Sequence, residues 1–331
     1  MHRHPITRRA ALQTVGAGLL GAVAGPALAQ TGPYPNRPIK IIVPWTAGGG
    51  GDVVVRMFAP GLQQRLGQPI VVENKPGAIG TIGSLAAARS PADGYTILYG
   101  SAESHSIAPP VFKRMPYDAK KEFVAIAPIG FPPISICVHA SHPAKTFDQF
   151  LKMAREAKEP PTYGSWGQGG SGHITMEALK QTAKIELVHV PYNGTAPLLQ
   201  AQLANQINCA VNTLPTVEPH IRSGTLRVLA LVARQRLSQF PDVPILKEMG
   251  IPIEIGGWIG FLAPAGVPAD VLTKLHAAID ATAREPAITE QMKSMTLVPD
   301  YQDQRSYQAF YLSEFDRWGQ YIRDAKVSLD Q

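Results

Sequence analysis

Ile39-Lys40-Ile41-Ile42-Val43-Pro44-Trp45-Thr46-Ala47-Gly48-Gly49-Gly50-Gly51-Asp52 is a β-branched run that empties into a glycine-rich turn and then into a residue of the kind that begins helices. Ile39 to Val43 reads as a short buried strand. Beyond it Val54, Phe58, Leu62 and Leu66 recur at helical spacing and Gly67 closes the segment, so a helix is expected from Val53 to Leu66 with Asp52 as its N-cap. Pro60-Gly61 inside that helix predicts a kink or an early break. Pro69 to Glu73 then gives a second strand, Asn74 to Gly83 a second glycine-rich loop, Thr81 to Arg89 a helix, and Tyr95 to Tyr99 a third strand. Strand, glycine loop, helix and strand in succession is a βαβ rhythm, which predicts an α/β protein with mostly parallel sheets.

The rhythm resumes after Gly130-Phe131-Pro132-Pro133. Strands are expected at Ile134 to Val138, Thr162 to Gly164, Glu186 to Val190, Asn208 to Val211 and Leu226 to Val232. Between them helices are expected at Thr146 to Ala157, Ile174 to Ala183, Thr195 to Asn205 and Thr216 to Ser223. Two α/β modules with glycine loops imply two lobes and a cleft between their loop-bearing faces, because ligands bind beyond the carboxyl ends of parallel strands. The C-terminal stretch, with a helix from Ala269 to Arg284 and another from Ser306 to Lys326, carries Tyr307, Tyr311, Phe315, Trp318 and Ile322 at three- and four-residue intervals. Such a stripe belongs to packing on the first lobe rather than to a ligand box.

Composition narrows the class. The chain has 331 residues, 45% of them hydrophobic and 17% charged, with only two Cys, which excludes a disordered tail, a collagen-like fibre and a disulfide-stapled mini-protein. Residues 1–29 combine Arg8 and Arg9, an Ala/Gly/Leu/Val stretch and Ala27-Leu28-Ala29, the pattern of a secretory signal peptide with twin-arginine character. Its removal lowers the formal charge from +6 to about +3, so the basicity belongs largely to the precursor, and no Lys/Arg block remains to make a nucleic-acid footprint. Export to the periplasm is therefore expected, with Cys137 and Cys209 buried and unpaired in apolar runs.

Catalytic motifs are missing: there is no G-x-x-x-x-G-K-[ST], H-E-x-x-H, G-x-S-x-G or C-x-x-C. Gly77 to Gly83 is G-x-x-G-x-x-G, whose first spacing is wrong for a dinucleotide fingerprint. His139 and His142 bracket a turn and have no acidic residue beside them, so neither a metal nor a cofactor is expected. What the two glycine loops offer is anion binding. A loop such as Thr46 to Gly51 opening a helix turns several backbone N–H groups toward one point at the positive end of the helix, and glycine lets a ligand approach the backbone. Gly77 to Gly83 repeats the arrangement, and two such loops in neighbouring βα units point to one shared anion site.

The sequence closely resembles the tripartite tricarboxylate transporter substrate-binding proteins, the Bug or TctC family. The resemblance rests on Tyr34 to Pro44, Ala47 to Asp52, Leu66 to Ala78, Ser90 to Thr96, Tyr163-Gly164-Ser165, Val190-Pro191-Tyr192, Pro219-His220-Ile221 and Phe240 to Pro244, and it spans essentially the whole mature chain. It implies a two-lobe periplasmic binding protein type II fold, with residues 30–131 and 252–331 in lobe one, 132–251 in lobe two, and crossovers near Pro132 and Ile251. It further implies a monomer that does no chemistry and delivers a small carboxylate to the membrane permease subunits of a tripartite tricarboxylate transporter. The first-lobe loops would hold one ligand carboxylate through Trp45, Thr46, Ala47, Gly48, Gly49, Gly50, Asp52, Ala78, Ile79 and Gly80, with Ser101 beside them. The second lobe would close with Ser165, Trp166, Ser171, His173, Tyr192 and Thr195.

Three residues depart from the family pattern: Trp45 stands where Phe is frequent, Trp166 is a bulky aromatic in the second-lobe loop, and Asn212-Thr213 replaces a frequent Asp-Asn. An uncharged Asn212 would not repel a second carboxylate, and two indoles would suit a flat apolar body, so a dicarboxylate is expected, an aromatic one such as terephthalate included. Two other readings stand beside this one. One is an exported hydrolase built on Ser171 and His173; the other is an extracytoplasmic sensor subunit for a two-component system.

Overall fold

The computed structural model describes residues 33–251 and 257–327. The signal segment lies outside them, as does most of the second expected crossover, just past Ile251. The first half of the molecule runs β1 (Ile39–Val43), α1 (Gly50–Leu66), β2 (Ile70–Asn74), α2 (Thr81–Ala88), β3 (Thr96–Ser101), α3 (Ala108–Val111) and β4 (Phe123–Phe131). The middle runs β5 (Ile134–His139), α4 (Phe147–Glu156), β6 (Thr162–Ser165), α5 (Ser171–Ala183), β7 (Val188–Pro191), α6 (Thr195–Leu203), β8 (Cys209–Thr213), α7 (Leu214–Arg222) and β9 (Leu226–Val232). The chain then makes β10 (Ile259–Pro264), α8 (Ala269–Ala283), α9 (Pro286–Ser294), β11 (Val298–Pro299) and α10 (Gln304–Ala325).

These strands form two sheets, ordered β11-β4-β10-β3-β1-β2 and β7-β6-β8-β5-β9. In the first, β1 pairs β2 and β3 in parallel while β10 lies antiparallel between β3 and β4. In the second, β6 pairs β7 and β8 in parallel and β5 lies antiparallel between β8 and β9. Each sheet is thus a mostly parallel array with a reversed strand let into it, plus the short reversed edge strand β11 in the first. Helices flank both, which is the α/β class read from the βαβ rhythm.

Each sheet has its own core. Leu98, Phe123, Trp258, Leu262, Tyr307, Tyr311 and Trp318 pack around the first, and Ile136, Phe147, Phe150, Tyr163, Met176 and Val211 around the second. The α10 stripe of Tyr307, Tyr311, Phe315, Trp318 and Ile322 is buried against the first sheet, as its spacing requires. One second-sheet residue, Ile174 of α5, packs into the first-sheet core as well. Cys137 and Cys209 are buried and free. Two details of α1 differ from the sequence reading: its start, and the absence of a break at Pro60. Helix α1 begins earlier than Asp52: Gly49 is its N-cap and Asp52 lies in its first turn. It also continues through Pro60, near which Gly61 lets Thr282 and Glu285 of the α8 end come close.

Candidate functional site

The loop after β1 is exposed from Thr46 to Gly48 and again at Gly50. Gly48 takes φ +76°, and a side chain at Gly48 or Gly50 would meet open space, so this backbone faces outward unobstructed. Gly50 and Gly51 open α1, and first-turn amides have no acceptor one turn back within their own helix. The loop is fastened from beneath by Asp52. Its buried carboxylate accepts from Gly48 N (2.8 Å), Arg56 Nε (2.9 Å) and Asn74 Nδ2 (3.0 Å). Asn74, at the end of β2, also donates to the Trp45 carbonyl (3.1 Å). The Arg56 bond leads the causes that hold the Asp52 carboxyl down at about 2. The Asp52 carboxylate is thus engaged within the protein, where it holds the loop to α1 and to the end of β2.

The second loop is left-handed over four successive residues: Gly77 (φ 129°), Ala78 (47°), Ile79 (54°) and Gly80 (82°). A β-branched residue at positive φ is a strained arrangement of the kind concentrated at functional sites. Here it turns the chain into α2, whose N-cap is Gly80. The two loops meet. A Cβ on Gly83 would lie 2.8 Å from the Pro44 Cα and the Lys75 carbonyl, and one on Gly80 would lie 3.4 Å from the Trp45 indole and 3.2 Å from Ser104. Trp45 thus lies between Gly51 and Gly80, with its ring against both loops. Ser101 ends β3 and is buried, its hydroxyl 3.5 Å from that of Ser104.

On the second sheet, β6 and β7 run in parallel, so their following loops emerge side by side. Tyr192 N donates to the Ser165 carbonyl (3.0 Å) and Gly194 N to the Trp166 carbonyl (3.1 Å), which ties the loops after β6 and β7 together, with Ser165 itself fully buried. Trp166 also packs over Gly172 at the start of α5. His173 accepts from Gly169 N at Nδ1 (3.0 Å) and stacks on His189 (4.1 Å between centroids, 11° between planes), which in turn stacks on Tyr163. Ser165 Oγ lies 2.7 Å from His189 Nε2. Burial leads the causes that lower both imidazoles, His189 to about 4, so the stack is neutral at neutral pH. Asn212 sits lower, fully buried on β8, where its Nδ2 donates to Gln202 Oε1 (2.9 Å) and its Oδ1 is left without a partner among the described residues.

Ser171 and His173 do not form the pair a hydrolase would need. Ser171 Oγ donates to Glu103 Oε1 (2.7 Å), while the His173 ring is engaged with Gly169 and His189. Glu103 and His189 carry no sequence signal for this site: both lie outside the glycine loops, Glu103 in the polar run Ser101 to Ser106 and His189 between two valines, and both are brought in by tertiary packing. Among the described residues, no cluster of three or more His, Cys, Asp or Glu is placed to hold a metal ion, and no helix is long and apolar enough to cross a membrane.

The chain is similar to known proteins in sequence and fold. Residues 54–327 match the family described as the tripartite tricarboxylate transporter family receptor. BugT of Bordetella pertussis is 29% identical over 309 residues, 93% of this chain and 94% of that protein. An R. palustris protein solved with adipate superposes with a TM-score of 0.82 at 28% identity, over 89% of this chain and 99% of that one. MatC from Rhodopseudomonas palustris, solved with bound malate, superposes with a TM-score of 0.76 at 26% identity, over 87% of this chain and all of that one.

Proposed function

This chain belongs to the tripartite tricarboxylate transporter receptor family, and we propose that it is a periplasmic solute-binding protein that captures a small dicarboxylate and delivers it to the permease subunits of such a transporter. The observation that carries this reading is the convergence of the two glycine loops on Trp45, with exposed backbone at Thr46 to Gly50 and the left-handed turn of Gly77 to Gly80. One ligand carboxylate is placed on these amides, among Trp45, Thr46, Ala47, Gly48, Gly49, Gly50, Ala78, Ile79 and Gly80, near Ser101. Each charge-assisted bond there contributes roughly 1.5 to 3 kcal/mol, so two or three supply much of the ~8 kcal/mol of a micromolar affinity.

The two sheets head two lobes in this reading, residues 30–131 with 252–331 and residues 132–251, and the ligand lies between them. Its far end meets Ser165, Trp166, Ser171, His173, Tyr192 and Thr195, with Asn212 beneath. The neighbours solved with adipate and with malate favour a two-ended ligand, and the Trp45 and Trp166 indoles favour one with a flat body such as terephthalate. Mass spectrometry of whatever co-purifies under mild conditions should show a small acid, released unchanged. Calorimetry of terephthalate, benzoate, adipate and citrate then ranks the acids. Loss of one carboxylate removes about two charge-assisted bonds, so benzoate should bind at least ~30-fold more weakly than terephthalate. Equal affinity for the two refutes a two-ended site, and binding of none of the four refutes the carboxylate reading.

A further inference from the structure

Glu103 follows β3 of the first sheet, yet its polar contacts are on the second. Both carboxylate oxygens accept from Ser171 N, at 3.2 and 3.3 Å, and Oε1 accepts from Ser171 Oγ at 2.7 Å. The Trp166 side chain is a further donor to it. These groups converge at Gly170, whose Cβ position lies 3.3 Å from Trp166 Nε1 and 3.4 Å from Glu103 Oε2. Gly170 is the N-cap of α5, and no side chain of its own segment caps that helix. One first-turn donor of α5, Ser171 N, unfilled locally, is satisfied by a carboxylate 68 residues away in sequence. Ser104, the next residue, stands against Gly80 of the first-sheet glycine loop, so this carboxylate is beside the place where both loops and Trp45 meet.

A carboxylate held by a main-chain N–H, a hydroxyl and an indole N–H is what the far end of a two-ended ligand would present to Ser171 and Trp166. We propose that Glu103 is a specificity-determining residue, an internal carboxylate that fills the α5 end of the ligand site and that a dicarboxylate must displace in order to bind there. This rests on the dicarboxylate reading of the same site. Glu103 is half-buried and no Lys or Arg stands among the groups that shift its ionisation; burial leads those groups and raises its pKa above the ordinary glutamate range. An uncompensated charge of this kind is readily exchanged for a ligand's, whereas a monocarboxylate, bound only at the first-sheet loops, leaves it in place.

The test compares wild type with Glu103→Gln, which keeps an acceptor for Ser171 N, and with Glu103→Ala, on acids sharing one body: terephthalate with benzoate, adipate with hexanoate. Glu103→Gln should tighten both diacids about tenfold or more, because a like charge is removed from the ligand's far end, and should change both monoacids less than about threefold. Equal shifts for mono- and diacids, or weaker diacid binding in both variants, overturn the proposal. A second measurement uses no ligand. X-ray scattering should show a larger radius of gyration for Glu103→Ala than for wild type, because the bond across the two sheets is gone. If none of the acids binds any of the three proteins, the carboxylate reading fails, and an unchanged ligand-free radius then overturns the role of Glu103 too.

Discussion

Replacing Asp52 by Asn tests whether the first glycine loop is built from beneath. The carboxylate accepts three kinds of bond, from the Gly48 amide, the Arg56 guanidinium and the Asn74 amide. An asparagine keeps one acceptor oxygen for Gly48 and turns an N–H₂ toward the other two donors. The depression of the carboxyl from 3.8 to about 2 corresponds to roughly 2.5 kcal/mol of preference for the ionised form in the folded protein. The Arg56 side chain is 54% exposed, so solvent screens part of that, and a loss of about 1.5 to 2 kcal/mol is expected. That lowers the melting temperature by roughly 3 to 4 °C in a chain of this size.

Binding should weaken too. Freeing the backbone of one loop residue costs about 1 to 2 kcal/mol to reverse on binding, or roughly tenfold in Kd. The sign with pH follows from the depressed carboxyl: its stabilisation is fully present above about 3.8 and is lost as pH falls through about 2. Scanning calorimetry of wild type and Asp52→Asn from pH 7 downward should therefore show a melting-temperature difference that shrinks below about pH 3.8 and closes as pH falls through about 2. Equal melting temperatures and equal carboxylate affinities at pH 7 would refute the supporting role of Asp52.

Gly83→Ala should destabilise by at least ~2 kcal/mol and abolish carboxylate binding, since the new Cβ meets backbone of Pro44 and Lys75 at 2.8 Å with no flexible side chain to yield; a wild-type melting temperature would show that the loops are less tightly joined. Trp45→Ala should weaken terephthalate about threefold to tenfold more than adipate, the difference being the ~0.5 to 1.5 kcal/mol of ring stacking, and calorimetry showing equal losses would remove stacking from the account. Intact mass of periplasmic protein should show a chain beginning at Gln30, and recovery of the full-length chain there would contradict cleavage after Ala29.

The helices and parallel strands were legible because each is a local pattern. The Val54, Phe58, Leu62, Leu66 stripe and the stop at Gly67 placed α1, and the runs at Ile39 and Leu226 placed β1 and β9 within a residue or two. Strands β4 and β10 were not legible for a physical reason. β4 contains Pro128 and Gly130, which read as breakers, and both are accommodated because the pairing of β4 with β10 is irregular at those points. The glycine loops were readable from spacing alone, and the structure brings them together. Asp52 was misjudged as a cap because N-cap preference is a statistic of residue type, whereas Gly49 with its extended backbone starts the helix and leaves the carboxylate to fasten the loop. Glu103 could not be found, since its partners Ser171 and Trp166 are more than sixty residues away.

The reversed strand in each sheet has one cause. β4 ends at Phe131 in the first sheet, and two prolines later β5 begins in the second, where it is the antiparallel member between β8 and β9. β9 ends the second sheet, and the next strand, β10, is the antiparallel member between β3 and β4 of the first. Each sheet is reversed by the strand the chain makes on arriving from the other. Of the four strands so joined, β4, β5 and β10 lie inside their sheets and β9 is an edge strand of the second. The glycine loops, α5 and Glu103 all follow parallel strands at their carboxyl ends, where the proposed rotation of one sheet against the other would bring the two faces together or part them. In the proposed closure, a carboxylate from one sheet seated on a helix start of the other would be a contact made and broken by that motion, so its removal is expected to change both the resting shape and the rank order of acids.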